Sequence, residues 1–310
     1  MSHRSALTEF SSAAVQERRS AGSTPLADYW ALTKPEVNFL ILITTGVGFY
    51  LGCGNEARPL SFLRLFNTLL GTLLVASGTG TLNQYIERKF DAQMRRTARR
   101  PAAAGRLKPS AVLVFGIALA AAGSMYLAAT VNPLASALAV LTLLTYLFVY
   151  TPLKRETALC VLVGAFPGAM PPLIGWAAAS GNLTLQAWIL YALLFLWQFP
   201  HFMAIAWMYR EDYDRAGYLV LPHEGSNRAR LVNCQTLLPL LVLASLSLLP
   251  GLESASRTLY WIAALFLNLG FLYYGMQFVL NKSRSAARRL LAASIVYLPL
   301  LFVLIVFPRG

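Results

Sequence analysis

The chain has 310 residues, of which 57% are hydrophobic and 13% charged, with a formal net charge of +13. A soluble domain of this length sits at about 45–50% apolar and about 25% charged, so the composition excludes a soluble enzyme or binding module. It points to an all-α, polytopic membrane protein, in which basic loops on one membrane face explain the cationic excess without a nucleic-acid partner.

In chain order, residues 1–27 come first; they open "MSHRSALTEFSSAAVQERRSAGSTP", small and polar with no apolar h-region, and read as a disordered cytoplasmic tail ahead of one transmembrane domain over 28–310. Nine runs of roughly 17–25 apolar residues follow. They lie at about 37–53, 66–86, 111–130, 134–151, 158–179, 187–208, 233–250, 258–280 and 290–308. Pro167, Pro171, Pro172 and Pro200 interrupt the fifth and sixth runs and predict kinks or unwound turns there. Threading the nine runs across a bilayer puts 22 Lys and Arg on the N-terminal side and 4 on the other. Positive loops stay inside, so the N-terminus is expected in the cytoplasm. Glu9 and Glu17 argue against a mitochondrial transit peptide, and a bacterial inner membrane is favoured over an organelle membrane. Cys53, Cys160 and Cys234 have no paired spacing and read as packing residues.

The acids are few and unevenly placed. In "NQYIERKFD" (83–91), Asn83, Glu87 and Asp91 are four apart and share a helical sector of roughly 80°. Three oxygen donors on one face make a half-site for a hard cation, and magnesium fits because it is completed by waters and phosphate oxygens. Glu87 and Asp91 could instead pair with Arg88 or Arg95 on a solvated helix end. The second group tips the balance: "MYREDYDRAG" (208–217) sets Asp212 between Glu211 and Asp214, with Tyr209 and Arg210 beside it. Four spans separate the groups, so both emerge on one membrane face. Facing acidic patches amid Arg and Lys suit a magnesium-bound diphosphate, with an apolar remainder between the helices. Metal and Arg would stabilise charge on a departing diphosphate, and Tyr146, Tyr150, Trp197 or Tyr209 could face an allylic cation, although packing is the commoner role for any one aromatic.

Five stretches resemble the intramembrane UbiA-type prenyltransferases, and within them the protohaem IX farnesyltransferase, or haem O synthase, branch. They are "ALTKPEV" (31–37), "NQYIERKFDAQMRRTARRPAAAGRL" (83–107), "YTPLKRET" (150–157), "GAFPGAMPPLIGW" (164–176) and "FLWQFPHFMAIAWMYREDYDRAGYLVLP" (195–222). Branches that prenylate quinone precursors carry N-D-x-x-D-x-x-x-D, whereas Gln84 and Glu87 replace two of those acids here. The resemblance implies nine transmembrane helices around a central cavity, with Asn83, Glu87 and Asp91 holding one magnesium and Asp212 another. It implies a catalytic role for Tyr209 and substrate contacts for Lys34, Arg95, Arg99, Lys154, Arg155, Arg210 and Tyr150. His201, in "QFPHF", would meet haem through its iron or a propionate; the other reading is a structural hydrogen bond across helices. The implied reaction moves the farnesyl group of farnesyl diphosphate to the 2-vinyl group of haem b with addition of water, magnesium being the sole cofactor. Haem A synthase or oxidase assembly factors are the implied protein partners. The alternatives are a prenyltransferase for a quinone precursor, a secondary transporter, and a non-catalytic haem-binding protein. Acids confined to one membrane face oppose transport.

Overall fold

The computed structural model describes residues 24–54, 60–222, 226–253 and 257–307; the tail read from the sequence lies outside the described residues up to position 23. Every regular element among the described residues is helical. Helix α1, Pro25–Leu32, starts inside the stretch read as tail. Its N-cap Thr24 accepts the Ala27 N–H at 3.3 Å, and proline takes the first helical position, where no N–H bond is lost.

Nine helices long and apolar enough to cross a bilayer follow among the described residues. These are α2 Pro35–Gly52, α3 Phe62–Asp91, α4 Pro109–Thr130, α5 Pro133–Leu153, α6 Cys160–Ser180, α7 Leu185–Met208, α9 Asn227–Gly251, α10 Thr258–Asn281 and α11 Arg284–Val306, with a short α8, Arg210–Arg215, between α7 and α9. They match the nine apolar runs. The largest departure is α3, whose 30 residues make a rod of about 45 Å against a hydrocarbon core of about 30 Å. That length is enough for its last turns, which carry Asn83, Glu87 and Asp91, to reach past the lipid.

The prolines behave differently from one another. The fifth span breaks at Ala169: one half ends at Gly168, and the next starts at Met170 with Pro171 and Pro172 in its first turn, where a missing N–H is harmless. Gln198 on α7 fastens this break, donating to the carbonyls of Ala165 at 3.1 Å and Leu194 at 3.2 Å. No unwound turn forms at Pro200. Helix α7 runs unbroken through it, because packing on α6, α9 and α11 outweighs the one lost backbone bond. A π-helical turn over Thr145–Tyr150 lies in the fourth span, just ahead of Pro152, whose missing N–H leaves the Phe148 carbonyl without its helical donor.

Helix α2 packs on α3 and α6, α3 on α4, α4 on α5, and α5 on α6; α7 then leads to α9, α10 and α11, which pack in sequence, and α11 touches α2. At the α2–α6 contact, a Cβ at Gly48 would strike the Pro172 backbone and one at Gly175 would strike the Thr45 carbonyl. Lipid gives no hydrophobic drive for helix pairing, so such close backbone approach supplies the attraction. The last three helices are tied by a buried network: Tyr297 donates to Asn268 Oδ1 at 2.7 Å, Asn268 to Ser247 Oγ at 2.9 Å, and Tyr260 to the Ser247 carbonyl at 2.7 Å. A recess of about 1020 Å³ opens between α1 and α4, lined by Leu26, Tyr29, Trp30, Val114 and Phe115. It is apolar, faces outward, and includes none of the candidate site residues.

Candidate active site

The polar face of α3 points inward. Asn83, Glu87 and Asp91 are 1%, 5% and 1% exposed, so the solvated helix end considered from sequence is not what forms. Glu87 takes Lys154 Nζ on Oε1 at 2.9 Å and the Asn83 amide on Oε2 at 2.9 Å; Asp91 takes Arg100 on Oδ2 at 2.8 Å. Asn83 also accepts Lys34 Nζ at 2.9 Å and donates to Thr151 at 3.3 Å. Arg88 turns away, donating to the Tyr85 carbonyl at 2.6 Å and covering the Tyr85 ring.

The second acidic group docks on the loop after α3. Asp212, buried on α8, accepts the Arg96 backbone N–H at 3.4 Å on Oδ2 and Arg215 at 2.9 Å on Oδ1. Arg96 is five residues past Asp91, so the two acidic groups meet at one end of the bundle. Glu211 stays exposed, and Asp214 pairs with Arg228 at 3.2 Å; of this acidic run, Asp212 alone turns toward the α3 loop.

Two lysines enter the cluster from opposite sides. Lys34 links α1 to α2 with φ of 54°, a left-handed conformation that a non-glycine residue before proline rarely adopts. Such strain persists where the surroundings over-determine it, and here it directs the side chain past Gly80 to Asn83. Burial, joined by the charge of Arg100, lowers the Lys34 pKa to about 7, with Glu87 opposing. For Lys154 burial also works against the charge, but the flanking Tyr150 and Glu87 more than offset it and hold the pKa well above the ordinary lysine value. Lys34 is thus the titratable cation and Lys154 the permanent one. The π turn sets two aromatic faces under Lys154: Tyr150 at 4.5 Å and Tyr146 at 6.0 Å from the ammonium, their ring centres 5.2 Å apart. Thr151 donates to the Tyr146 carbonyl at 2.8 Å within that turn, a local irregularity of the kind that collects at functional sites.

The remaining candidates divide. Arg95, Arg96 and Arg99 are exposed; Arg100 turns its guanidinium to Asp91, whereas Arg96 meets Asp212 through its backbone N–H. Arg155 is exposed with its guanidinium 4.7 Å over Phe90, and Arg210 lies over Trp207 and donates to its carbonyl at 3.0 Å, so these two interact with aromatic rings rather than with the buried carboxylates. Tyr209 receives the Arg96 guanidinium over its ring at 5.2 Å. His201 sits apart in α7 against α11: Nδ1 is 2.8 Å from Ser294 Oγ, the Ser294 carbonyl accepts Trp197 Nε1 at 2.8 Å, and the imidazole lies 4.7 Å from the Trp197 ring. The cross-helix bond weighed from sequence is present.

Sequence reading missed Arg96, Arg100, Arg215, Thr151 and Tyr218. The first three lie in basic stretches, where composition shows neither that the Arg100 and Arg215 guanidiniums turn in nor that Arg96 offers its backbone N–H. Thr151 is exposed to view only by the π turn, and Tyr218 only by the turn after α8. Asn83, Glu87, Asp91 and Asp212 offer oxygen donors alone, the set a hard divalent cation takes. Among the described residues no three Asp, Glu, His or Cys side chains gather closely enough to cage a metal by themselves. A metal completed by phosphate oxygens suits such a set. On its arrival the displaced Lys154, Arg100 and Arg215 would be left facing the anion.

The UbiA prenyltransferase family model matches residues 41–303. A protoheme IX farnesyltransferase of Solibacter usitatus is 46% identical over 290 residues, covering 92% of this chain and 99% of that protein. Proteins of the same name from Koribacter versatilis and Aquifex aeolicus are 41% and 36% identical, covering 92% and 93% of this chain and 94% and 97% of theirs. Among solved structures, one described for digeranylgeranylglyceryl phosphate synthase superposes with a TM-score of 0.72 at 16% identity, over 92% of this chain and 98% of that one. A UbiA homologue from Archaeoglobus fulgidus bound to GPP and Mg2+ superposes with a TM-score of 0.62 at 16% identity, over 90% and 99%.

Proposed function

The chain belongs to the UbiA prenyltransferase family, and from that premise we propose that it is a magnesium-dependent enzyme transferring the farnesyl group of farnesyl diphosphate to the 2-vinyl group of haem b, giving haem O. The single observation that carries the reading is the meeting of Glu87, Asp91 and Asp212 with Lys34, Lys154, Arg100 and Arg215 at one end of an apolar helical bundle. Kinship to proteins named protoheme IX farnesyltransferase along nearly their whole length supports haem as acceptor. Counting 22 of 26 basic residues on the same side, we place this end at the cytoplasmic face of a bacterial inner membrane. Association with haem A synthase or oxidase assembly factors is part of the same proposal.

Asn83, Glu87 and Asp91 would hold one magnesium ion and Asp212 a second. When bound, magnesium supplies positive charge to the phosphate oxygens of the leaving group. Lys34, Lys154, Arg100 and Arg215 complement that charge, the arginines bidentately. The C1–oxygen bond of farnesyl diphosphate breaks and diphosphate leaves with the electron pair. Tyr146 and Tyr150 present their faces to the allylic cation. The haem vinyl carbon forms the new C–C bond, and water adds to the resulting cation with loss of one proton. On the acceptor side, the Ser294 hydroxyl donates to the Leu291 carbonyl at 2.6 Å. Its oxygen then accepts Nδ1–H of His201, leaving Nε2 as the lone-pair nitrogen offered to iron or a haem substituent.

Diphosphate release tests the acceptor. The purified protein, given farnesyl diphosphate and magnesium, is expected to release diphosphate with haem b and not with a 4-hydroxybenzoate-type quinone precursor; the reverse pattern would remove the haem assignment. Because kcat/KM reports groups of the free enzyme, kcat/KM for farnesyl diphosphate is expected to fall as pH rises through about 7, where the Lys34 ammonium loses its proton. In Lys34→Met that fall should vanish, and below the transition kcat/KM should be lower by about tenfold. A variant that keeps the wild-type pH profile contradicts the role given to Lys34. His201→Ala should weaken haem binding by about tenfold or more and change the haem absorption spectrum, with farnesyl diphosphate binding unaltered. An unchanged spectrum would end the case for contact with iron.

A further inference from the structure

Tyr218 lies just past the end of α8. It follows Gly217, whose φ of +71° turns the chain back after α8, and the next residue is pinned by Leu219 N–H donating to the Lys154 carbonyl at 2.7 Å. The ring is 3% exposed and lies between Phe90, 5.9 Å away, and Tyr213, 6.2 Å away. Its hydroxyl is sealed from solvent and makes no hydrogen bond of full geometry, while the charged groups around it are Glu87, Lys154 and Asp91. A buried phenol normally finds a partner, and Glu87 is the acceptor within its reach.

We propose that Tyr218 is a positioning residue for Glu87: its neutral O–H holds the Glu87 carboxylate in place while the other oxygen lone pairs bind a divalent cation. Glu87 is held by Lys154 on one oxygen and by the Asn83 amide on the other. An incoming dication repels the ammonium. It also recruits Asn83 through Oδ1, which turns the amide N–H2 away from Glu87. Tyr218 carries no charge, stands on a different segment, and is free to donate to the carboxylate once those two donors leave. Such outer donors typically set metal affinity by 10–100-fold.

The inference rests on the divalent-cation reading of the site and is independent of the acceptor. Tyr218→Phe, which removes one oxygen and keeps the ring, is compared with the wild-type full chain in detergent by Mn2+ titration with inorganic pyrophosphate, read by electron paramagnetic resonance. The Mn2+ dissociation constant should rise about tenfold or more. The half-saturating magnesium for farnesyl transfer should rise in parallel, with turnover recovering at saturating magnesium. Unchanged Mn2+ binding overturns the proposal, as does lost turnover at saturating magnesium with wild-type Mn2+ affinity. If wild type binds no Mn2+ with pyrophosphate, the metal site falls together with this inference. If Mn2+ binding weakens in the variant but haem is not farnesylated by wild type, only the acceptor assignment falls.

Discussion

Glu87→Gln is expected to abolish farnesyl transfer, by at least about a thousandfold, and also to lower the thermal stability of the protein in detergent. The carboxylate is 5% exposed and forms an ion pair with Lys154 at 2.9 Å, so its loss reaches stability as well as chemistry. Removing one partner of a buried pair strands the other charge, at a cost of about 3–5 kcal/mol. The double variant Glu87→Gln/Lys154→Met should therefore recover most of the lost stability and none of the activity. Unfolding curves for the three proteins alongside turnover check this. A single variant as stable as wild type would contradict the pairing, and a double variant that regains activity would contradict the metal role.

Asp212→Asn is expected to cut turnover by about a hundredfold or more with a smaller change in stability, since the side chain of Arg215, the cation it would leave behind, is 42% exposed and keeps much of its solvation. The amide can still accept the Arg96 N–H, so the loop after α3 keeps its seat while the carboxylate charge disappears. Turnover measured against magnesium concentration distinguishes this from collapse of the loop. Wild-type turnover in Asp212→Asn would remove the second acidic group from the site.

The membrane helices could be read from hydropathy because lipid obliges each crossing segment to be apolar and internally hydrogen-bonded. The helix carrying Asn83, Glu87 and Asp91 past the apolar run could be read too, from their four-residue spacing, and α3 does run on to Asp91. The carboxylates stood out because acids are scarce in such a chain, and scarcity marks function. Their cationic partners did not stand out. After Asp91 the backbone leaves regular helix, so the 100° periodicity that placed Glu87 and Asp91 on one face gives no guide to Arg95, Arg96, Arg99 and Arg100. Lys34 shows the same limit from another side: its approach to Asn83 depends on a left-handed backbone at one residue. The π turn that aligns Tyr146 and Tyr150 leaves no trace in composition, and Tyr218 comes into range of Glu87 only because a glycine reverses the chain behind it.

The most direct measurement is the mass of the haem recovered after incubating the purified protein with haem b, farnesyl diphosphate and magnesium. A haem carrying one farnesyl group and one added water, absent when a chelator is included, is the predicted product. Unaltered haem b with farnesyl diphosphate consumed, or the same product formed in the presence of chelator, would contradict the account.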